Sequence, residues 1–502
     1  MILTNGVLVA DPYADAAALE DGRIVTVGMG PAVAAGRPHD GIVIDLKGGA
    51  LLPGFIDAHL HLFHTGLTAI GWRVDLSGLD REDALARLAT AAGGRSGSAW
   101  TIGSGWDESV WPTRSYLTRR DLDRLSTKGP IAAVRMDGHL LIVNSEGLRR
   151  ASKVLPGDLR SSLVDPERGE LREEATWSLL RSIGPDETVL SEAFAAAART
   201  FHRLGVTSVH TMTEPSWVPV LLKRGGRHRL RVTVYQEVAS PEEIDRLVPP
   251  ERFDGDWIRF GGVKAFADGS LGARNAAVGA PYVGGGSGTL NHSDEEMAQI
   301  LSRAEGRGWQ TAIHAIGDRA IEQVLKVHAS VGSSHDLRHR IEHLELVSED
   351  QVARARDLGL HLSMQPNFIG NWSGPGSMNE QRLGRARDEI SNPLRRVLDA
   401  GARLAFGSDG MPVSPIYGLD SAVNAPYPAQ RVTVEEAIAC YTEGGARFAF
   451  EEDMKGSVAV GSMADLVVLD EDPRKDPARI GGRRIERVYV AGECVYDRAE
   501  GD

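Results

Sequence analysis

The sequence predicts an α/β fold: a (β/α)8 TIM-type barrel flanked by a β-sandwich built from both chain ends, with a large insertion after the first barrel strand. Three observations carry this expectation. Short apolar segments alternate with amphipathic stretches through most of the chain, the pattern of parallel βα units. Both ends read as short strands joined by turns, with no long helical pattern between them. One stretch, residues 71–185, breaks the alternation.

In chain order, residues 1–48 contain ILTNGVLVA, GRIVTVG after the Asp21-Gly22 turn signal, and GIVIDLKG. Residues 455–502 answer them with GSMADLVVLDED and RIERVYVAGECVYD. Neither end alone supplies enough strands to bury a core, so the two are expected to combine. The barrel is assigned to 49–70 and 186–454. Its strands are expected at GFIDAH and at 205–212, 230–238, 257–266, 309–315, 338–346, 359–366 and 402–409. Helical segments such as SEAFAAAARTFHRLG and DEEMAQILSRAEGRG fall between them, each ending near a glycine. The inserted residues 71–185 are expected to cover the barrel mouth, where the strand C-terminal ends carry the functional groups of such folds.

Bulk composition narrows the partner. The 502-residue chain is 42% apolar and 25% charged, ordinary for a globular protein. A formal charge of -13 argues against a nucleic-acid or anionic-membrane surface, which calls for clustered Lys and Arg. A small-molecule substrate is expected, and a homodimer is left open. Cys440 and Cys494 are too few and too far apart for a thiolate metal site or a disulfide framework. The N-terminal stretch lacks the pattern of a secretory leader, and no run reaches the roughly 18 apolar residues of a spanning helix, so a cytoplasmic location is expected.

The chemistry concentrates at predicted strand ends. In LLPGFIDAHLHLFH, His59 and His61 stand two apart on a strand and so share a face. Lys264 ends the fourth strand, His314 the fifth, His343 the sixth and Asp409 the eighth. All six would converge on one mouth as metal ligands. His39, His202, His228, His292, His328, His335, His339 and His361 fall elsewhere and receive no metal role. His64 and His210 lie near the mouth, where supporting or structural roles are expected. Trp106, Asp107 and His139 in the insertion, together with His210, are the expected substrate contacts.

PGFIDAHLHL, VKAFADGSLGARNA, IHAIGDRA, RIEH, SMQP, GSD and GSVAVGSMADLVVLDEDP together resemble the amidohydrolase superfamily, in the branch of the N-substituted formamide deformylases. The resemblance runs over almost the whole chain. Leu344, Glu345, Gly410 and Met411 depart from the usual pattern beside the ligands, in the region of the substrate pocket. The resemblance implies a divalent metal centre: two zinc ions, with Mn or Fe as alternatives. His59, His61 and Asp409 would hold one ion and His314 and His343 the other, bridged by a carbamate formed from CO₂ on Lys264. An ordinary ammonium would repel the metal, and the alternative is an unmodified lysine beside a single ion.

Metal coordination makes hydroxide available at neutral pH, and Asp409 is expected to serve as general base and then acid. His139 and His210 are the expected oxyanion donors. The expected reaction is hydrolysis of an amide-type C–N bond in an N-formyl amine, N-acyl amine or cyclic amide. The alternatives are deamination of a heterocyclic amine, ester hydrolysis, and, least favoured, a non-catalytic scaffold. Related deaminases place a glutamate three residues after the fifth-strand histidine, where this chain has Gly317.

Overall fold

A computed structural model describes residues 1–9, 13–35, 41–95, 99–125, 128–253 and 255–500. Eight parallel strands form its central sheet: β1 (Phe55–Leu60), β2 (Val206–Thr213), β3 (Arg231–Glu237), β4 (Ile258–Phe266), β5 (Gln310–Ala315), β6 (Arg340–His343), β7 (His361–Met364) and β8 (Arg403–Phe406). They lie side by side in sequence order, as the sequence predicts. Helices cover the outside of this sheet, so its strands are buried on both faces and read as nearly continuous apolar runs. Two of the intervening helices start at capping boxes. Ser293 accepts from the Glu296 N–H at 3.2 Å while Glu296 accepts from the Ser293 N–H at 2.9 Å, and Ser348 and Gln351 repeat the arrangement.

The barrel is nearly closed. Where β8 meets β1, the backbone N–H of Ser408 donates to the buried Asp57 carboxylate at 2.9 Å, and that of Asp409 donates to the His59 carbonyl at 2.7 Å. Asp57 also accepts from the His59 N–H at 3.2 Å. Gly407 makes this approach possible, since a Cβ there would lie 2.5 Å from the His59 nitrogen.

Two expected strands stop early. β6 ends at His343 rather than 346 because His343 and Leu344 take φ of 77° and 51°, and β8 ends before Asp409, whose φ is 54°. Both breaks turn site residues out of the sheet.

The terminal segments form a four-stranded sheet (Arg23–Gly28, Ala16–Glu20, Ile2–Thr4, Val43–Asp45) and a five-stranded sheet (Val7–Leu8, Ala50–Pro53, Leu466–Leu469, Ile485–Val490, Glu493–Asp497). A shared core of Leu3, Leu19, Leu51, Leu466 and Tyr489 fuses them. The AAALE strand was not legible in the sequence because Ala, Leu and Glu favour helices; pairing on both sides overrides that preference. Ala50–Pro53, expected in the barrel, pairs with Leu466–Leu469, so the chain passes from sandwich to barrel at Gly54.

The insertion carries a six-stranded sheet in the order Val164–Asp165, Glu170–Arg172, Leu140–Val143, Ile131–Arg135, Thr101–Trp106, Val74–Asp75. Alternate residues feed opposite cores, with Ile131 and Ala133 on one face and Ala132 and Val134 on the other. Among the described residues no helix is long and apolar enough to cross a membrane.

Gly407→Ala should cost about 1–3 kcal/mol, since the added methyl must spread β8 from β1. Denaturant unfolding monitored by tryptophan fluorescence measures this; an unchanged midpoint would mean the barrel seam tolerates the spreading.

Candidate active site

The strand ends bring the six expected ligands to one place. His59 and His61 leave the end of β1, Lys264 sits near the end of β4, His314 on β5, His343 at the end of β6 and Asp409 just beyond β8, and all six line a single cavity of about 750 Å³. His59, His61 and Asp409 offer ligand atoms that lie within 4.8 Å of one another. Asp409 Oδ1 is 3.4 Å from His61 Nε2 and 3.7 Å from His59 Nε2. The His314 and His343 rings are 4.4 Å apart, and His343 is 4.7 Å from His59.

Three of the four imidazoles are held from behind by a hydrogen bond. His59 Nδ1 meets the Glu342 carboxylate at 2.6 Å, which fixes that nitrogen as the donor and turns Nε2 toward Asp409. Glu342 is itself clamped by the buried Arg340 at 2.7 and 2.9 Å. His343 Nδ1 pairs with Gln365 Oε1 at 2.7 Å, and His314 Nε2 with the Gly269 carbonyl at 3.1 Å. Glu237 approaches His61 Nδ1 at 3.6 Å. Glu342, Glu237 and Gln365 were missed in the sequence. The available signal was RIEH itself, in which Arg340 and Glu342 share one strand face two residues apart.

The electrostatics suit a cation. Burial, reinforced by neighbouring positive charge, holds His59, His314 and His343 well below the usual imidazole range and lowers His61 to about 3. These rings therefore present lone pairs at neutral pH. Burial lowers Lys264 to about 8, although the carboxylates of Glu342, Asp409 and Glu237 oppose the shift. Its Nζ is fully buried and, among the described residues, has no hydrogen-bond partner. Burial also raises Asp409 to about 7 against the pull of Lys264. A solvent-shielded set of neutral imidazoles, a carboxylate and an unpartnered lysine fits a divalent metal centre.

The insertion roofs the cavity. Asp107 and His139, two of the expected substrate contacts, line it. Asp107 accepts from Trp372 Nε1 at 2.9 Å. Burial alone would lower His139, but Glu173, 2.9 Å from Nδ1, raises it to about 9, which favours the protonated ring at neutral pH. Its ring lies 5.1 Å from His314.

Two expected substrate contacts are corrected. Trp106 is fully buried in the core of the insertion, its Nε1 donating to the Ala133 carbonyl at 3.0 Å, because alternation on its strand turns it away from the cavity. His210 is fully buried inside the barrel, where its Nδ1 accepts from Arg340 at 3.0 Å. It is not among the residues that line the cavity. His64 lines the cavity and stacks on His61 at 5.1 Å.

Gly317 admits no side chain: a Cβ there would lie 2.0 Å from the Ala277 carbonyl oxygen.

The profile of the amidohydrolase family matches residues 42–496. The chain is 31% identical over 490 residues to the putative amidohydrolase YtcJ of Bacillus subtilis (strain 168), covering 91% of this chain and 90% of that protein. It is 26% identical over 532 residues to the N-substituted formamide deformylase of Arthrobacter pascens, covering 97% and 95%. The crystal structure of an uncharacterised metal-dependent hydrolase from Pyrococcus furiosus aligns with a TM-score of 0.71 and 29% identity over 94% of this chain and 99% of that one. Because the matched region takes in the barrel, the insertion and the C-terminal strands, the chain belongs to the amidohydrolase family, as a metal-dependent hydrolase of carbon–nitrogen bonds other than peptide bonds.

Proposed function

We propose that the site hydrolyses an amide-type bond in an N-formyl amine, an N-acyl amine or a cyclic amide, water and substrate giving a carboxylic acid and an amine. The observation that carries the reading is the buried cluster of His59, His61 and Asp409, which shares one cavity with His314, His343 and the unpartnered Lys264. Similarity to the Arthrobacter deformylase supports the bond type. The Ala277 carbonyl beside Gly317 counts against deamination, because a glutamate has no room where that chemistry would place its proton shuttle.

His59, His61 and Asp409 would hold one ion, and His314 and His343 a second, with a carbamate on Lys264 between them. Zinc suits this donor set, as do Mn and Fe. Divalent metal supplies polarisation of the carbonyl and a lowered pKa for water. The carbamate forms when the unprotonated Lys264 amine adds to CO₂ and loses a proton, and burial keeps that amine accessible near neutral pH.

The chain's own residues do the rest. Asp409 takes a proton from the attacking water and returns it to the departing nitrogen, so that the amine leaves neutral. Its backbone N–H, bonded to the His59 carbonyl, holds the carboxylate against the two imidazoles. His139, charged by Glu173, donates from Nε2 toward the substrate carbonyl oxygen as negative charge develops there. The inserted sheet excludes water, which strengthens both interactions. Free Cys440 and Cys494 support a cytoplasmic setting.

Asp409→Asn should lower turnover by roughly 10²–10⁴ while KM changes far less, measured on protein whose metal content is assayed in parallel. Near-normal turnover with metals intact removes the assigned base, and full activity after exhaustive chelation removes the metal reading. Ammonia released from a heterocyclic amine, without activity on any amide, would move the protein to the deaminases.

Glu342→Gln should weaken metal binding about 10- to 100-fold, read by competition with a chelator of known affinity. An unchanged affinity would show that Glu342 does not orient His59.

Lys264→Ala should lose one of two bound metals by elemental analysis, with short carboxylic acids restoring part of the activity. Retention of both ions would rule out the carbamate bridge.

A further inference from the structure

Arg73 stands where the chain leaves the barrel for the insertion. Its backbone N–H donates to the Leu67 carbonyl at 3.1 Å, closing the turn after the helix Leu62–Ala69, in which Gly71 takes a φ of 71°. This anchor leaves the side chain lining the same cavity as the metal-ligand cluster. Only 5% of Arg73 is exposed, yet among the described residues its guanidinium has no hydrogen-bond or ion-pair partner, and its Nε is buried without one. It lies close enough to His61 and His64 for its charge to disfavour their protonation.

The other cations on the cavity wall outside the metal cluster are paired. Arg135 pairs with Glu108 at 2.8 Å and Asp137 at 2.7 Å, Arg181 pairs with Glu174, and His139 pairs with Glu173. Lys264 belongs to the metal cluster. Arg73 is therefore the one cavity cation outside that cluster left without a counter-ion among the described residues. A desolvated guanidinium is strongly destabilising unless an anion meets it.

We infer that Arg73 receives an anionic group of the substrate, and that the group is a carboxylate. The inference rests on the proposed amide hydrolysis in this cavity and specifies its substrate class: an N-formyl or N-acyl compound bearing a free carboxylate away from the scissile bond. A guanidinium matches a carboxylate with two parallel hydrogen bonds. A single positive charge balances a monoanion, whereas a phosphate dianion would be left half-neutralised. Held by one fixed cation close to His61 and His64, the carboxylate also sets which carbonyl is presented to Asp409.

The test compares N-formyl-L-leucine with N-formyl-L-leucinamide on the zinc-loaded protein, alongside Arg73→Met and Arg73→Lys. The native protein should favour the acid in kcat/KM by about 10- to 100-fold, Arg73→Met should erase that preference mainly through KM, and Arg73→Lys should keep part of it. Calorimetry with 4-methylpentanoate and 4-methylpentanol, which are not hydrolysed, reads the site independently of turnover. If neither amide is cleaved but the carboxylate binds tighter than the alcohol to native protein and not to Arg73→Met, the Arg73 subsite stands and the amide reading falls. A carboxylate preference that survives in Arg73→Met places the anion on the metal and overturns the inference. So does equal use of the acid and amide substrates, or a preference for the α-aminophosphonate analogue.

Discussion

A buried charge inside the barrel governs this molecule. Arg340 lies on the inner face of β6 with no access to water, and such a cation is tolerable only if its donors are matched. Glu342, two residues along the same strand, takes two of its hydrogen bonds, the Ala58 carbonyl of β1 takes another at 2.7 Å, and His210 of β2 accepts a further one. The guanidinium also lies over the Tyr235 ring at 4.7 Å. This network ties four strands together at one level. Its outermost member is His59, whose Nδ1 rests on Glu342. The orientation of the first candidate ligand is thus a consequence of neutralising an arginine in the barrel interior, and stability and site geometry are inseparable there.

Above that level the backbone departs from regular strand. His343, Leu344 and Asp409 all have positive φ, a conformation that costs non-glycine residues of order 1 kcal/mol or more and persists only where the surroundings impose it. The surroundings are identifiable. Gln365 holds His343 through its ring, the Ala315 carbonyl accepts from the Leu344 N–H at 3.1 Å, and the His59 carbonyl accepts from the Asp409 N–H. Strand-end strain here places two candidate ligands where continued strands would have carried them past the mouth.

The insertion completes the cavity. Its sheet is buried on both faces, which makes it a firm roof, and Asp107, Asp137 and His139, in the loops after its interior strands Thr101–Trp106 and Ile131–Arg135, line the cavity. Carboxylates behind it set the charges: Glu173 holds His139 as a cation, and Glu108 with Asp137 neutralises Arg135. What remains is a chamber in which Arg73, without a counter-ion among the described residues, stands near His61 and His64 at the seam between barrel and roof.

The sequence by itself determined the elements and the candidate ligands. Period-two and apolar-run patterns placed eight strands within a few residues, and His59, His61, Lys264, His314, His343 and Asp409 were legible because each recurs at the same point of a repeating βα unit. Local pattern could not show the strand Ala16–Glu20, whose residues prefer helix, nor the early ends of β6 and β8, where contacts across the barrel impose left-handed backbone. It could not separate Trp106 from Asp107, adjacent residues that alternation sends to a core and to a cavity. Tertiary structure alone decided that Glu342 supports His59 across 283 positions of sequence, that His210 pairs with Arg340 inside the barrel, and that Arg73 has no counter-ion among the described residues. The physical reason is the same in each case: pairing and burial of charge depend on which strands a closed barrel makes neighbours, and that is fixed by packing rather than by proximity along the chain.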